Sequence, residues 1–96
     1  MYHETKIAVR KALILGRMLF GLGQERYGLL LAATSNIRPP TQDELQLYIE
    51  RGYSMEDAMI AELQDRYRNA AVAAGFAENY GLAMLEYAAM EQELKS

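Results

Sequence analysis

Few side chains in this 96-residue chain are of the types that make or break bonds. His3 is the one histidine, and it lies in a terminal segment expected to fray. It reads as a solvated ring, not a general base or metal ligand. The chain has no cysteine, which removes thiol catalysis, disulfides and cysteine-ligated zinc together. Carboxylates come in pairs: Asp43/Glu44, Glu56/Asp57, Glu62/Asp65 and Glu91/Glu93. The first two pairs open helices and are explained by capping and by the helix dipole. Glu62 and Asp65, one turn apart beside Arg66 and Arg68, read as a solvated helix face. No Glu-x-x-His pair offers the ligands of a carboxylate-bridged metal bundle. Gly16, Gly21, Gly23 and Gly28 cluster, but without dinucleotide or Walker spacing and without a preceding strand. Ser35, Ser54 and Ser96 lack a nucleophile-elbow context. The expectation is no catalytic residue, no metal and no cofactor.

Charge is the stronger signal. Residues 1–38 carry six bases against two acids, a balance of +4; residues 39–96 carry four bases against eleven acids, a balance of −7. Such asymmetry suggests either a polyanion on the first half or contact between the halves. On a helix, Lys6, Arg10 and Arg17 fall within about 40° of one another and form one basic line. Three bases on a chain of net charge −3 make a thin footprint for nucleic acid. The sequence Thr41–Gly52–Ser54 has the outline of a helix-turn-helix. Its second helix opens Met55-Glu56-Asp57, which would face phosphates with negative charge. A basic line meeting the acidic half is therefore preferred, with a dimeric nucleic-acid-binding regulator as the alternative.

The elements that must position these residues are all helical. Ala, Leu, Met, Glu, Gln and Arg dominate, and no run shows the period-two alternation of a strand. Helices are expected near 4–20, 24–33, 42–51, 55–74 and 77–94, with a loop at 34–40. Together they make a single all-α domain, a compact bundle of four to five helices. Gly21-Leu22-Gly23 should break the first helix from the second, one long kinked helix being the competing reading. Arg38-Pro39-Pro40 forbids helix. Thr41-Gln-Asp-Glu44 is a capping box, and Gly52 and Gly75 are left-handed helix stops. On the fourth helix Ile60, Leu63, Tyr67, Ala70 and Ala74 are expected inward. On the fifth, Phe76, Tyr80, Ala83, Tyr87, Met90 and Leu94 step by four and three as a seam. The first helix is apolar almost all round, which suits an interface or a position between helices.

The corner Ile49-Glu-Arg-Gly-Tyr-Ser-Met-Glu-Asp-Ala58 resembles the first corner of a ubiquitin-associated domain, where a Gly-aromatic loop precedes an acidic helix start. Arg51 stands in place of the methionine before the glycine, and the helix that follows is too long. The resemblance therefore assigns neither fold nor function. The same corner gathers tyrosine and methionine, types enriched in interface cores: Tyr48, Tyr53, Met55 and Met59. No stretch has the length and apolarity of a membrane span, and no secretory signal is present, so a cytoplasmic location is expected. Taken together, the residues suggest a small non-enzymatic interaction protein. It would be a regulator, adaptor or inhibitor, possibly from a phage or mobile element, that binds a partner protein and self-associates as a dimer. A helical enzyme with its site at a dimer interface is the third reading. The candidate interaction residues are Lys6, Arg10, Arg17, Tyr48, Tyr53, Met55 and Met59.

Overall fold

The computed structural model describes residues 2–95, which form five helices and, among the described residues, no strand. They are α1 (Tyr2–Leu22), α2 (Gln24–Thr34), α3 (Gln42–Glu50), α4 (Met55–Ala73) and α5 (Glu78–Lys95). The all-α expectation holds.

Glycine stops separate several of the elements. Gly23 has φ 85°, a left-handed backbone costly for any residue with a Cβ, and it turns α1 into α2 as two helices. Gly21 lies inside α1, so the break sits at Gly23 alone. Gly52 (φ 96°) follows α3 and Gly75 (φ 91°) follows α4. At the latter stop the Phe76 amide donates back to the Ala71 carbonyl at 2.9 Å, a Schellman closure that turns the chain towards α5. The Thr41 capping box is complete: the Glu44 amide donates to the Thr41 hydroxyl, and the Thr41 amide donates to the Glu44 carboxylate at 2.9 Å. Ser54 caps α4 by accepting from the Asp57 amide at 3.1 Å.

The core is built from α1, α2, α4 and α5. Met18, Leu30, Tyr67, Ala71, Phe76 and Met84 form it, with Ile14, Leu22, Leu63 and Tyr80 packed around them. α4 and α5 make an antiparallel hairpin of unusual closeness. A Cβ on Gly81 would stand 2.2 Å from the Tyr67 carbonyl oxygen and 3.0 Å from the Arg68 Cα. No side chain fits there, so glycine is required by space and not by dihedral angle. α1 runs antiparallel to α5, joined by His3–Glu93 (3.0 Å), Arg10–Glu86 (3.4 Å) and Lys11–Glu91 (3.1 Å). α3 packs on α4 through buried Leu45 and Ala58.

Two inward assignments on α4 are corrected. Ile60 is exposed although it shares a helix face with Tyr67 and Ala71. It lies two turns nearer the start of α4, beyond the core cluster. Ala74 is exposed because it caps α4 and falls past the packed turns. Phe76, two residues before α5, and Met90 are buried and Tyr80, Ala83, Tyr87 and Leu94 are half-buried, so this seam is not the surplus surface for self-association that its spacing suggested. Much of that seam is filled by the chain's own helices.

The helices form a slab of 41 × 38 × 18 Å. Its accessible surface is 6687 Å². A folded monomer of this mass exposes about 5,600 Å². The chain therefore leaves roughly a fifth more surface in water than its size requires, and among the described residues only Leu30 and Leu45 are large side chains buried completely.

Candidate interaction surface

A polar network ties the α3–α4 corner together. Pro39 and Pro40 hold the preceding loop extended, which delivers Arg38 beside the start of α3. Arg38 donates through both terminal nitrogens to Glu44, at 2.8 and 3.2 Å. Arg66, one face of α4 away, donates to Glu44 at 2.7 Å, to Glu62 at 2.9 Å and to the Arg38 carbonyl at 3.2 Å. One carboxylate thus ties the loop, α3 and α4 together. The Arg38 hydrogen bond first, and the Thr41 amide second, hold the Glu44 carboxyl well below the usual carboxylate range.

Tyr48 lies at the other end of this network. Its hydroxyl sits 3.2 Å from Glu62 and 3.1 Å from Asp65, donating to the pair. Arg68 pairs with Asp65 from the next turn. Burial first, then the Asp65 hydrogen bond, pushes the Tyr48 hydroxyl up to about 12. Glu62 and Asp65 are therefore not a solvated face: both are half-buried and hold α3 to α4. The ring of Tyr48 carries that of Tyr53 edge-on, with centroids 5.4 Å apart at 75°. Such a pairing favours one orientation of each ring.

Beyond Tyr53 the surface is apolar. Met55, Met59 and Ile60, with the stem of Glu56, line a shallow depression of about 450 Å³. Tyr53, Met55 and Ile60 are exposed and Met59 is half-buried. The exposed acids Glu50, Glu56 and Asp57 lie in the same corner segment, with Arg51 its one base. Of the expected interaction residues, Tyr48 and Tyr53 pair ring to ring, and Met55 and Met59 line the same depression one turn into α4. Ile60 was missed because its spacing matches the core face. Arg38, Glu62, Asp65 and Arg66 were missed because their meeting depends on how α3 folds back on α4.

The basic residues belong elsewhere. Lys6 lies over the Tyr2 ring at 5.6 Å, and Arg10 faces Glu86. Arg17 lines a groove with Ile14, Tyr80 and Glu86. Lys11, not part of the expected line, makes the more sheltered pair: it meets Glu91 and lies over the Tyr87 ring at 4.9 Å. A second groove of about 370 Å³ between α2, α4 and α5 is lined by Tyr27, Tyr67, Tyr87 and Glu91. Burial first, then Tyr87 and Glu91, raises the Tyr27 hydroxyl, keeping it neutral at physiological pH. Among the described residues no cluster of histidine and acids could hold a metal ion, and no helix is long and apolar enough to cross a membrane. No family model, curated protein or solved structure matches this chain.

Proposed function

We propose that this chain is a small non-enzymatic interaction protein that acts by covering the surface of a partner protein with its α3–α4 corner. One observation carries the reading. Tyr53, Met55 and Ile60 stand exposed on a corner fixed by a capping box, a left-handed glycine and the Arg38–Glu44–Arg66 ion network. Exposed apolar side chains are ordinary when scattered, but a group of them on a rigid support can bind without an ordering cost. Methionine adapts to an irregular surface while tyrosine adds contact area at low entropy. The acids of the same segment point to a partner whose apolar site is rimmed by lysine or arginine. The alternative use of Lys6, Arg10 and Arg17 on nucleic acid has weaker support, since Arg10 already faces Glu86.

A photo-crosslinking side chain placed at Met55 in the full chain, expressed in its own host, tests the proposal. A single stoichiometric protein adduct is expected from Met55 and not from the exposed Gln92 on α5. Loss of that adduct in Ile60→Asp would assign it to the depression. No adduct, or equal adducts from both positions, would overturn the reading.

A further inference from the structure

We infer that the outward face of α1 is a homodimer seam, occupied by α1 of a second copy of this chain lying parallel to it. This goes beyond the corner proposal and stands independently of it. The inner face of α1 presents Ile7, Ile14 and Met18 to the rest of the molecule. On the opposite side Val9, Leu13, Gly16 and Phe20 lie within about 60° of one another. They are spaced by four, three and four residues, the repeat of a two-stranded coiled coil. Among the described residues no other helix buries them. Val9 is 53% exposed, Leu13 60% and Phe20 95%, and a Cβ on Gly16 would meet nothing within 4 Å. A phenylalanine almost wholly in water on a regular helix, in register with two aliphatic residues, is a contiguous seam.

The area supports a dimer. The chain exposes roughly a fifth more surface than a folded monomer of its mass, about 1,100 Å². A stable pairwise interface takes about 800 Å² from each partner. That excess belongs to the whole slab and is large enough to supply one such interface, and the exposed apolar stripe runs from Val9 to Phe20 along α1.

Charge selects the orientation. One flank of the seam carries Arg10, which faces Glu86 of α5, and Arg17, seven residues on beside the same carboxylate, two bases to one acid; the other carries Thr5, Ala12 and Leu19, none of them charged. In parallel helices each flank faces the opposite flank of the partner, so arginines meet neutral residues. In antiparallel helices like flanks meet, which would set Arg10 beside the partner's Arg17. Lys6 falls at a seam position near the start, where a lysine can lift its charge to water and fix register. Gly16 lets the two backbones approach between the larger Leu13 and Phe20 layers.

Sedimentation equilibrium of the full chain should give twice the chain mass of 10.9 kDa. Leu13→Glu and Phe20→Glu should each weaken association at least tenfold with helix content unchanged, while Ile60→Asp leaves it intact. Because the chain lacks cysteine, single substitutions report orientation. Val9→Cys and Phe20→Cys should each form a disulfide with an identical copy under mild oxidation. A monomer at every concentration tested, or a Leu13→Glu protein that still dimerises, would overturn the seam. A disulfide that forms only when the two cysteine variants are mixed would overturn the parallel arrangement.

Discussion

Glu44 concentrates the chemistry that fixes the corner. Its carboxylate accepts from Arg38, Arg66 and Thr41, so the folded state favours its charged form strongly. A carboxyl whose folded pKa is depressed contributes stability that is present above its unfolded value, about 4.3, and lost as pH falls towards the folded one. Wild-type protein should therefore lose urea resistance below about pH 5. Glu44→Gln should be less stable at pH 7 and fall more shallowly on acidification; parallel acid profiles would show that the slope arises elsewhere. Tyr48 has the opposite sign. Its hydroxyl is raised to about 12, so the support it gives is complete below about 10, the unfolded value, and is lost as pH rises through 12. Tyr48→Phe should remove that alkaline loss. The capping half of this site was legible, because Thr41 and Glu44 act on neighbours three residues away. The Arg38–Glu44–Arg66 junction was not, because residues 28 positions apart meet only after α3 has packed on α4.

At the scale of elements, two glycines in helices have opposite meanings. Gly28 sits inside α2 with open space where a Cβ would go. Gly28→Ala should stabilise by up to about 1 kcal/mol, the helix-propensity difference. Gly81 lies inside α5 against the backbone of α4, where a Cβ would collide with main-chain atoms that cannot rotate away. Gly81→Ala should destabilise by about 1–3 kcal/mol or more, the range for overpacking. Each 1 kcal/mol should move the melting temperature by about 4–8 °C at this size, so thermal unfolding separates the two signs. Equal effects would mean that α4 and α5 do not approach so closely. The sequence marks helix ends well, since Gly52 and Gly75 end helices by local backbone geometry. It marks Gly81 poorly, because a close crossing is a property of two helices. Ile60 failed for the same reason: its periodicity names a face, but not how far the neighbour reaches along it.

At the scale of the whole molecule, the split between a basic first segment and an acidic remainder becomes a docking device. The ion pairs Arg10–Glu86 and Lys11–Glu91 run from α1 to acids on α5, so part of the asymmetry is consumed inside the chain. Arg10–Glu86 is largely exposed, and an exposed pair contributes about 0–1 kcal/mol. Lys11 is the more sheltered member: its side chain is 22% exposed, it meets Glu91 at 3.1 Å and it covers the Tyr87 ring. Lys11→Glu should therefore lower stability by about 1 kcal/mol or more, losing the pair and the ring contact and adding repulsion. Glu91→Lys should be milder. Combined in one chain, the two exchanged charges should recover at least half of the loss, a coupling that a merely additive surface effect would not show. The same cycle reaches association, because α1 can present Val9, Leu13 and Phe20 in register only while its inner face is seated on α5. Lys11→Glu should weaken the dimer although Lys11 lies outside the seam, and the exchanged pair should restore it. A dimer that tightens or holds steady as the α1–α5 contact is lost would separate the two faces of α1 and break this link between docking and assembly.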